Sequence, residues 1–349
     1  MTTTLRGRAA GGNPANRFER LVVASEEPPP EALPTLFLRD SSRSVIARND
    51  SPDVGFDASL NPYRGCEHGC AYCYARPTHE YLGFSAGLDF ETRILVKEDA
   101  PELLRRELDS PRWEPRLLAL SGVTDPYQPI ERRVEITRRC LRVLAEYRNP
   151  VGLITKNALV TRDSDLLSAL TRYDAVSVAI SITTLDQELA RRLEPRASRP
   201  ADRLRAIRHL AASGIPVGVS VAPVIPGLTD HEIPAILEAA AAAGARFASW
   251  VMLRLPGAVA ELFTDWLERN EPDRRDKILS RVRTLRGGRL NDPRFGSRGR
   301  GEGPFAEQIR ALFDASVRRA GIPQERPRLS VASFRRPGGV QLGLFAARE

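Results

Sequence analysis

Short apolar runs alternate with amphipathic segments through the middle of this chain, and this alternation constrains the fold more than any other feature. Five runs are typical of buried strands, at residues 116–121, 151–155, 175–180, 216–221 and 248–253. Amphipathic segments with helical spacing lie between them, at residues 136–147, 164–170, 203–212 and 232–243. A strand–helix alternation favours a parallel sheet covered by helices, so the sequence predicts an α/β fold.

A further strand is predicted at residues 90–96, which brings the number of β/α units to six. A closed barrel of this kind has eight units, so the pattern falls short of closure. We expect one main domain at residues 56–260, preceded by an extended N-terminal arm (1–55) and followed by a helical extension (261–336) and a flexible tail (337–349). Within the extension, the Gly/Arg-rich tract 281–303 has little to bury and is predicted to be a flexible surface loop.

The composition limits the cellular setting and the partners. The 349 residues contain no apolar run of membrane-spanning length, and the N-terminus lacks the apolar stretch of a secretory signal. We therefore expect a cytoplasmic protein without a membrane partner. The chain has 52 Lys and Arg against 44 Asp and Glu, a net charge of +8. This balance favours anionic partners such as DNA or RNA, although an arginine-rich composition is also typical of GC-rich genomes.

Three of the four cysteines, Cys66, Cys70 and Cys73, lie within eight positions. Four cysteines are too few for a disulfide scaffold, so the cluster indicates a metal site. Thiolates at this spacing can converge on one centre, and soft thiolates select zinc or an iron–sulfur cluster. A closed zinc site needs four ligands, which His68 or His79 would complete.

The fourth cysteine, Cys140, has a different environment. Its neighbours four residues away on each side are Ile136 and Leu144, so it lies on the apolar face of a predicted helix. A buried free cysteine behaves as a small apolar side chain, so we expect Cys140 in the core.

Residues 61–74, NPYRGCEHGCAYCY, resemble the cluster loop of the radical S-adenosylmethionine superfamily, with Tyr72 directly before the last cysteine. The resemblance implies that Cys66, Cys70 and Cys73 hold three irons of a [4Fe-4S] cluster and that S-adenosylmethionine chelates the fourth. It implies reductive cleavage of S-adenosylmethionine to a 5′-deoxyadenosyl radical. It also implies a partial (β/α)6 barrel, with which the count of six units agrees.

The same resemblance assigns cofactor contacts to residues that follow the predicted strands. It implies that Gly122, Thr124 and Asp125 lie near the amino group of S-adenosylmethionine. Ser181 and Arg196 are expected to hold its ribose and carboxylate, since an arginine can pair with a carboxylate through two hydrogen bonds. The remaining candidates are Pro223 and Tyr72 beside the adenine, and Lys156 after the third strand. The alternative for each is an ordinary loop residue, and no catalytic residue is assigned.

Within the superfamily, residues 40–260 are most similar to bacterial DNA repair photolyase-like proteins, which are relatives of spore photoproduct lyase. The similar segments are residues 61–74, 75–79, 87–92, 124–129 and 194–196. One departure concerns the hydrogen-donating cysteine that the lyase carries near the end of its second strand, where this chain has Ser121 or Val123. A serine O–H bond is too strong to quench a thymine radical, so lesion splitting by that route is not expected.

The tail resembles the short peptide with which bacterial repair factors bind the replicative sliding clamp. The residues concerned are Gln341, Leu342, Leu344 and Phe345. The alternative is that these apolar residues pack back on the barrel as a closing strand. The superfamily resemblance further implies an electron donor such as a flavodoxin or ferredoxin.

Three functions are compatible with the sequence. The first is a radical enzyme acting on nucleic acid, which the photolyase-like resemblance and the basic composition favour. The second is a radical enzyme acting on a protein or a small metabolite. The third is a non-catalytic iron–sulfur or zinc protein, such as a redox sensor. The sequence does not identify the substrate, the group that quenches the radical or the oligomeric state.

Overall fold

The computed structural model describes residues 8–19, 33–323 and 325–337. Its strands are β1 (Leu36–Arg39), β2 (Ile46–Arg48), β3 (Ala58–Leu60), β4 (Tyr63–Arg64), β5 (Arg93–Val96), β6 (Leu118–Leu120), β7 (Val151–Thr155), β8 (Val176–Ser181), β9 (Val217–Val224) and β10 (Ala248–Met252). The main sheet has the order β10-β9-β8-β7-β6-β3-β2, in which all neighbours are parallel except β3 and β2. A smaller sheet has the order β1-β5-β4.

Helices cover the main sheet. They are α1 (Leu88–Thr92), α2 (Ala100–Asp109), α3 (Glu131–Val134), α4 (Ile136–Tyr147), α5 (Ser164–Thr171), α6 (Gln187–Leu193), α7 (Pro200–Ala212), α8 (Ile233–Ala242), α9 (Val259–Asn270), α10 (Pro272–Thr284) and α11 (Pro304–Arg319). Short 3-10 helices span Arg76–Leu82, Ala158–Asp163 and Asp230–Glu232. None of the helices in the described ranges is long and apolar enough to cross a membrane.

The predicted α/β fold with six parallel strands is confirmed, and the sheet stays open between its two edges in the described part of the chain. The core lies where the helices pack on the sheet, because parallel strands covered by helices bury both faces. Cys140 on α4 is fully buried in this core. The expectation that it acts as a small apolar side chain is thereby confirmed.

The first strand of the barrel was predicted in the wrong place. Residues 90–96 contain the end of α1 and then β5, which pairs with β1 and β4 in the small sheet. The first parallel strand of the main sheet is β3, directly before the cysteine cluster. It has only three residues, with Ser59 at its centre, so it lacks the apolar run by which a buried strand is recognised.

The arm and the main domain share hydrogen bonds. Strands β1 and β2 both belong to the segment predicted as an arm, and β2 pairs antiparallel with β3 across the predicted boundary at residue 55. Earlier in the chain, Ala9 and Ala10 are buried, and the Leu88 amide donates to the Gly12 carbonyl at 3.2 Å. The tail residues Gln341, Leu342, Leu344 and Phe345 lie outside the described residues.

The Gly/Arg-rich tract connects the two edges of the main sheet. Its Gly299 carbonyl accepts from the Met252 amide at the end of β10, at 2.9 Å. Its Gly296 amide and Arg298 guanidinium bind Asp53, which lies in the turn between β2 and β3. The prediction that this tract has little to bury is wrong, since Arg286, Asp292 and Ser297 are buried, and paired polar groups stabilise them.

Replacing Gly87 by alanine is expected to displace the N-terminal segment. A Cβ at Gly87 would lie 2.1 Å from the Gly12 carbonyl oxygen and 2.9 Å from the Asn13 Cα, and these backbone atoms cannot yield without moving the segment. We expect Gly87→Ala to lower the free energy of unfolding by about 1–3 kcal/mol, measured by urea denaturation. Gly55→Ala, whose Cβ would meet open space, is the matched control and should leave stability unchanged. Equal stability of the two variants would contradict this packing.

Candidate functional site

The cysteine cluster lies in a loop between β4 and the 3-10 helix Arg76–Leu82. Gly65 and Gly69 within it have positive φ angles of 78° and 62°, where a residue with a Cβ is strained. The Cys66 amide donates to the Phe90 carbonyl of α1, and the Ala71 amide donates to the Leu193 carbonyl of α6, both at 2.9 Å. The loop is therefore attached at both ends to elements distant in sequence.

The three thiols of this loop are free and closely surrounded by protein. Burial raises the pKa of Cys66, and the negative charges of Asp125, Cys70 and Cys73 raise it further. The thiols are therefore near enough to repel one another once deprotonated, and a bound metal would relieve that repulsion. Three soft donors without a disulfide fit an iron–sulfur cluster. Within the described ranges, no three His, Cys, Asp or Glu side chains converge as a site for a single metal ion.

Arg76 stabilises the loop through hydrogen bonds, and this role was not predicted from the sequence. Its fully buried guanidinium donates to the Cys70 carbonyl at 2.8 and 3.1 Å and to the Gly87 carbonyl at 2.9 Å. The charge is compensated by an ion pair with buried Glu91, which also accepts from the Ala10 amide at 3.1 Å. An arginine three residues after the last cysteine was the available signal.

Thr124 and Asp125 both contact the cysteine loop. The Thr124 hydroxyl donates to the Gly65 carbonyl at 2.7 Å. Asp125 lies 3.4 Å from the Nδ1 of His68 and accepts from the Lys156 amide at 2.8 Å. Burial alone would raise the pKa of Asp125, but His68 and the hydrogen bonds outweigh that effect and lower it. These two residues therefore connect the end of β6 to the loop and to the end of β7.

The two histidines considered as zinc ligands have other partners. Both ring nitrogens of His68 have a partner. Its Nδ1 faces the Asp125 carboxylate, and its Nε2 lies 3.2 Å from the side-chain amide nitrogen of Asn157. The Nε2 of His79 lies 2.9 Å from the Arg93 carbonyl oxygen. Burial lowers the pKa of His79 to about 4, so its ring is neutral at pH 7. His68 has no ring nitrogen left for a metal ion.

A polar network surrounds Lys156 at the ends of β7, β8 and β9. The Lys156 ammonium donates to the Ser181 hydroxyl at 3.1 Å and to the Ala222 carbonyl, next to Pro223, at 2.8 Å. It also lies 3.1 Å from the Thr183 hydroxyl and from a carboxylate oxygen of Glu194. The carboxyl ends of parallel strands are the usual place for a ligand, and a partly exposed ammonium there is suited to bind a carboxylate.

Glu194 is the carboxylate at the centre of this network. It forms a buried ion pair with Arg203 and accepts a hydrogen bond from the Tyr72 hydroxyl. Burial would raise the pKa of Glu194, but Arg203 and Lys156 outweigh it and hold the pKa well below its usual range. Tyr72, in the cysteine loop, is thereby joined to α6 and α7, and burial followed by the Glu194 charge raises its pKa.

Two predicted cofactor residues lie outside the Lys156 network. Arg196 pairs with Glu67 at 3.0 Å and donates to the Thr35 hydroxyl at 3.2 Å. Gly122 has a φ of 129°, and its carbonyl accepts from the Tyr74 hydroxyl. The structure thus brings Ser181 and the Ala222 carbonyl next to Pro223 together around Lys156, while Arg196 pairs with Glu67 of the cysteine loop.

Neutralising Glu194 is expected to destabilise the site strongly. Glu194→Gln leaves the fully buried Arg203 without its charge partner, which costs about 3–5 kcal/mol in the free energy of unfolding. Urea denaturation measures this loss. The matched control is Glu188→Gln on the same helix, where the exposed pair with Arg191 contributes little. Similar losses in both variants would contradict a central role for the buried pair.

Comparisons with known proteins agree with this architecture. The family model described as the Radical SAM superfamily matches residues 60–240. An uncharacterized protein of Mycobacterium tuberculosis is 40% identical over 232 residues, covering 66% of this chain and 67% of that protein. The Radical SAM Nalpha-GlyT isomerase of Pseudomonas phage M6 is 29% identical over 186 residues, covering 52% of this chain and 36% of that protein.

Solved structures give the same result for the fold. Spore photoproduct lyase complexed with dinucleoside spore photoproduct matches with a TM-score of 0.59 at 16% identity, covering 81% of this chain and 79% of the lyase. A variant of that lyase has bound AdoMet. Members of the Radical SAM superfamily use a [4Fe-4S] cluster with S-adenosylmethionine, and the family match supports both predicted cofactors. The family match includes the cysteine loop and the strand ends around Lys156. This chain belongs to the radical SAM superfamily.

Proposed function

We propose that this radical SAM protein is an enzyme that modifies bases in nucleic acid, with a [4Fe-4S] cluster held by Cys66, Cys70 and Cys73. The observation that carries the proposal is the position of the thiol loop, which Asp125 and Glu194 connect directly to the polar groups at the strand ends. When bound, the reduced cluster supplies one electron that cleaves S-adenosylmethionine to a 5′-deoxyadenosyl radical.

The chain's own residues would bind and orient S-adenosylmethionine. Lys156 is assigned to the carboxylate because its ammonium lies partly exposed at the ends of three strands, where a bound carboxylate would replace one of its present acceptors. Ser181 and the Ala222 carbonyl beside Pro223 both accept from Lys156, and these two positions would contact the ribose and the adenine. Arg196 lies outside this network, where its guanidinium pairs with Glu67 and donates to the Thr35 hydroxyl.

Replacing Lys156 in one variant and Arg196 in another tests this assignment. We expect Lys156→Met to weaken S-adenosylmethionine binding to the cluster-loaded protein by about 10- to 100-fold, because a charged hydrogen bond to the carboxylate is lost. Isothermal titration calorimetry measures the affinity, and iron analysis checks that cluster content is unchanged. Arg196→Gln is the matched comparison and should change the affinity less. A larger loss of S-adenosylmethionine affinity in Arg196→Gln than in Lys156→Met would assign the carboxylate to Arg196.

A nucleic-acid substrate is supported by two observations. The chain has a net charge of +8, which favours polyanions. The lyase with the similar fold is complexed with a dinucleoside photoproduct. The proposed reaction is base modification, because the chain offers no spare thiol to return a hydrogen atom. Three of its four cysteines lie in the cluster loop, and Cys140 is fully buried in α4.

Formation of 5′-deoxyadenosine tests the enzymatic proposal. Reconstituted with iron and sulfide without oxygen, reduced with dithionite and given S-adenosylmethionine, the protein should release 5′-deoxyadenosine, and nucleic acid should increase the yield. Cys70→Ala should lose both the iron content and the product, whereas Cys140→Ala should keep both. Iron content and turnover retained in Cys70→Ala would contradict the cluster assignment. Stimulation by peptides or small metabolites instead of nucleic acid would contradict the substrate class.

Two partners complete the proposal. An electron donor such as a flavodoxin or ferredoxin would reduce the cluster in the cell. The tail residues Gln341, Leu342, Leu344 and Phe345 would bring the enzyme to DNA through the sliding clamp. Both partners stay predictions from the sequence.

A further inference from the structure

Arginine side chains lie over aromatic rings at three places beside the cysteine loop and the Gly/Arg-rich tract. Arg17 lies 5.2 Å from the ring centre of Phe18, Arg254 lies 5.2 Å from that of Tyr74, and Arg298 lies 4.4 Å from that of Phe295. We call these six residues the arginine–aromatic rim. The base modification proposed above uses none of them.

The three pairs lie near one another. Gly257 follows Arg254 by three residues. Arg17 and Pro77 both lie within 4 Å of the position that a Cβ on Gly257 would occupy. Arg254 is near enough to Arg298 for the two charges to repel, which contributes to the lowered pKa of Arg254 after the larger effect of burial. Arg298 then pairs with Asp53 across the open side of the sheet. The rim therefore runs from the N-terminal segment, past Tyr74, to the tract.

The rings of the rim are unusually open to solvent. Phe18 is 57% exposed, Tyr74 47% and Phe295 55%, and Phe18 stacks at 4.8 Å on Tyr81, which is 73% exposed. Single exposed apolar side chains are common, but flat rings that carry guanidinium groups on one face are typical of surfaces on which bases stack. Tyr74 directly follows the cluster cysteine Cys73, so the rim passes beside the thiol loop.

Arg254 provides the second observation that points to a ligand. Across the described ranges, no carboxylate lies within ion-pair distance of its guanidinium, whereas Arg17 pairs with Glu80 and Arg298 pairs with Asp53. Its Nε is buried and has no hydrogen-bond partner in the same part of the chain. The charge of this guanidinium is therefore unpaired within the described residues, and a phosphate oxygen would pair with it.

We infer that the rim binds single-stranded nucleic acid, with unpaired bases stacked on its exposed rings and a phosphate at Arg254. This inference rests on the proposed function, since it specifies the nucleic acid on which that enzyme would act. Unpaired bases are required because the faces of paired bases are covered by their neighbours in a duplex. An acidic protein would complement the charge of Arg254, but it would not account for the stacked and exposed Phe18 and Phe295.

Fluorescence anisotropy with the cluster-loaded full chain tests the inference. The probes are a labelled 20-nucleotide DNA, the RNA of the same sequence, and the DNA duplex. We expect both single strands to bind at least tenfold more tightly than the duplex. The comparison of DNA with RNA identifies the preferred sugar.

Two variants distinguish the contribution of base stacking to the affinity from that of charge. Phe295→Ala should weaken single-strand binding about tenfold with an unchanged salt dependence, because stacking is not an ionic contact. Arg254→Gln should weaken binding and reduce the slope of log K against log salt by about 0.7, the value for one lost phosphate contact on a single strand. The matched controls are Leu312→Ala and Arg319→Gln on α11, and both should bind as the unmodified protein does.

The outcomes distinguish this inference from the proposed function. Duplex binding as tight as single-strand binding, together with stimulation of 5′-deoxyadenosine formation by the duplex, would overturn the inference and leave the proposed function in place. An unchanged affinity in both Phe295→Ala and Arg254→Gln would also overturn it. Failure of the cluster-loaded protein to bind any of the three probes would overturn both.

Discussion

The buried charge of Arg76 is the constraint on which the cysteine loop depends. A guanidinium without access to water must have its hydrogen bonds and its charge satisfied within the protein. Its bonds reach the Cys70 and Gly87 carbonyls, and its charge is balanced by Glu91, which also accepts from the Ala10 amide. The loop, the start of α1 and the N-terminal segment are therefore stabilised by one shared group of contacts. A change at any of these places would affect the positions of the thiols.

A second buried charge next to the loop is negative instead of positive, and it too must be balanced within the protein. Here a buried carboxylate, Glu194, is balanced by Arg203 and Lys156. Glu91 neutralises Arg76, and Glu194 leaves one positive charge between Arg203 and Lys156, so three thiolates would carry more negative charge than these neighbours balance. Metal cations would supply the remaining balance. The same carboxylate holds Lys156 at the strand ends.

The sequence predicted the parts of this fold that local pattern determines. Strand β7 and helix α4 were placed at their observed bounds, because a continuous apolar run and a strong helical period mark each of them. Strand β3 was not predicted, because three residues are too few to show the apolar pattern that marks a strand. Ser181 lies at the end of β8, as its position after an apolar run predicted, whereas the contacts of Arg76, Glu194 and Arg203 join separate elements of the fold. Their roles follow from burial, which the sequence does not reveal, although the position of Arg76 three residues after Cys73 was a signal.

Net charge is a weak guide to nucleic-acid binding in a chain as rich in arginine as this one. Many arginines are neutralised by neighbouring carboxylates: Arg138 pairs with Asp163, and Arg162 pairs with both Asp163 and Glu131. A polyanion is attracted only by charge that the protein has not already balanced, and such binding is stronger where exposed rings add stacking. Arg254 meets both conditions, because no carboxylate in the described part of the chain pairs with it and its guanidinium lies over the exposed ring of Tyr74. The position of this charge, next to the cluster cysteines, is stronger support for a nucleic-acid substrate than the excess of basic residues in the composition.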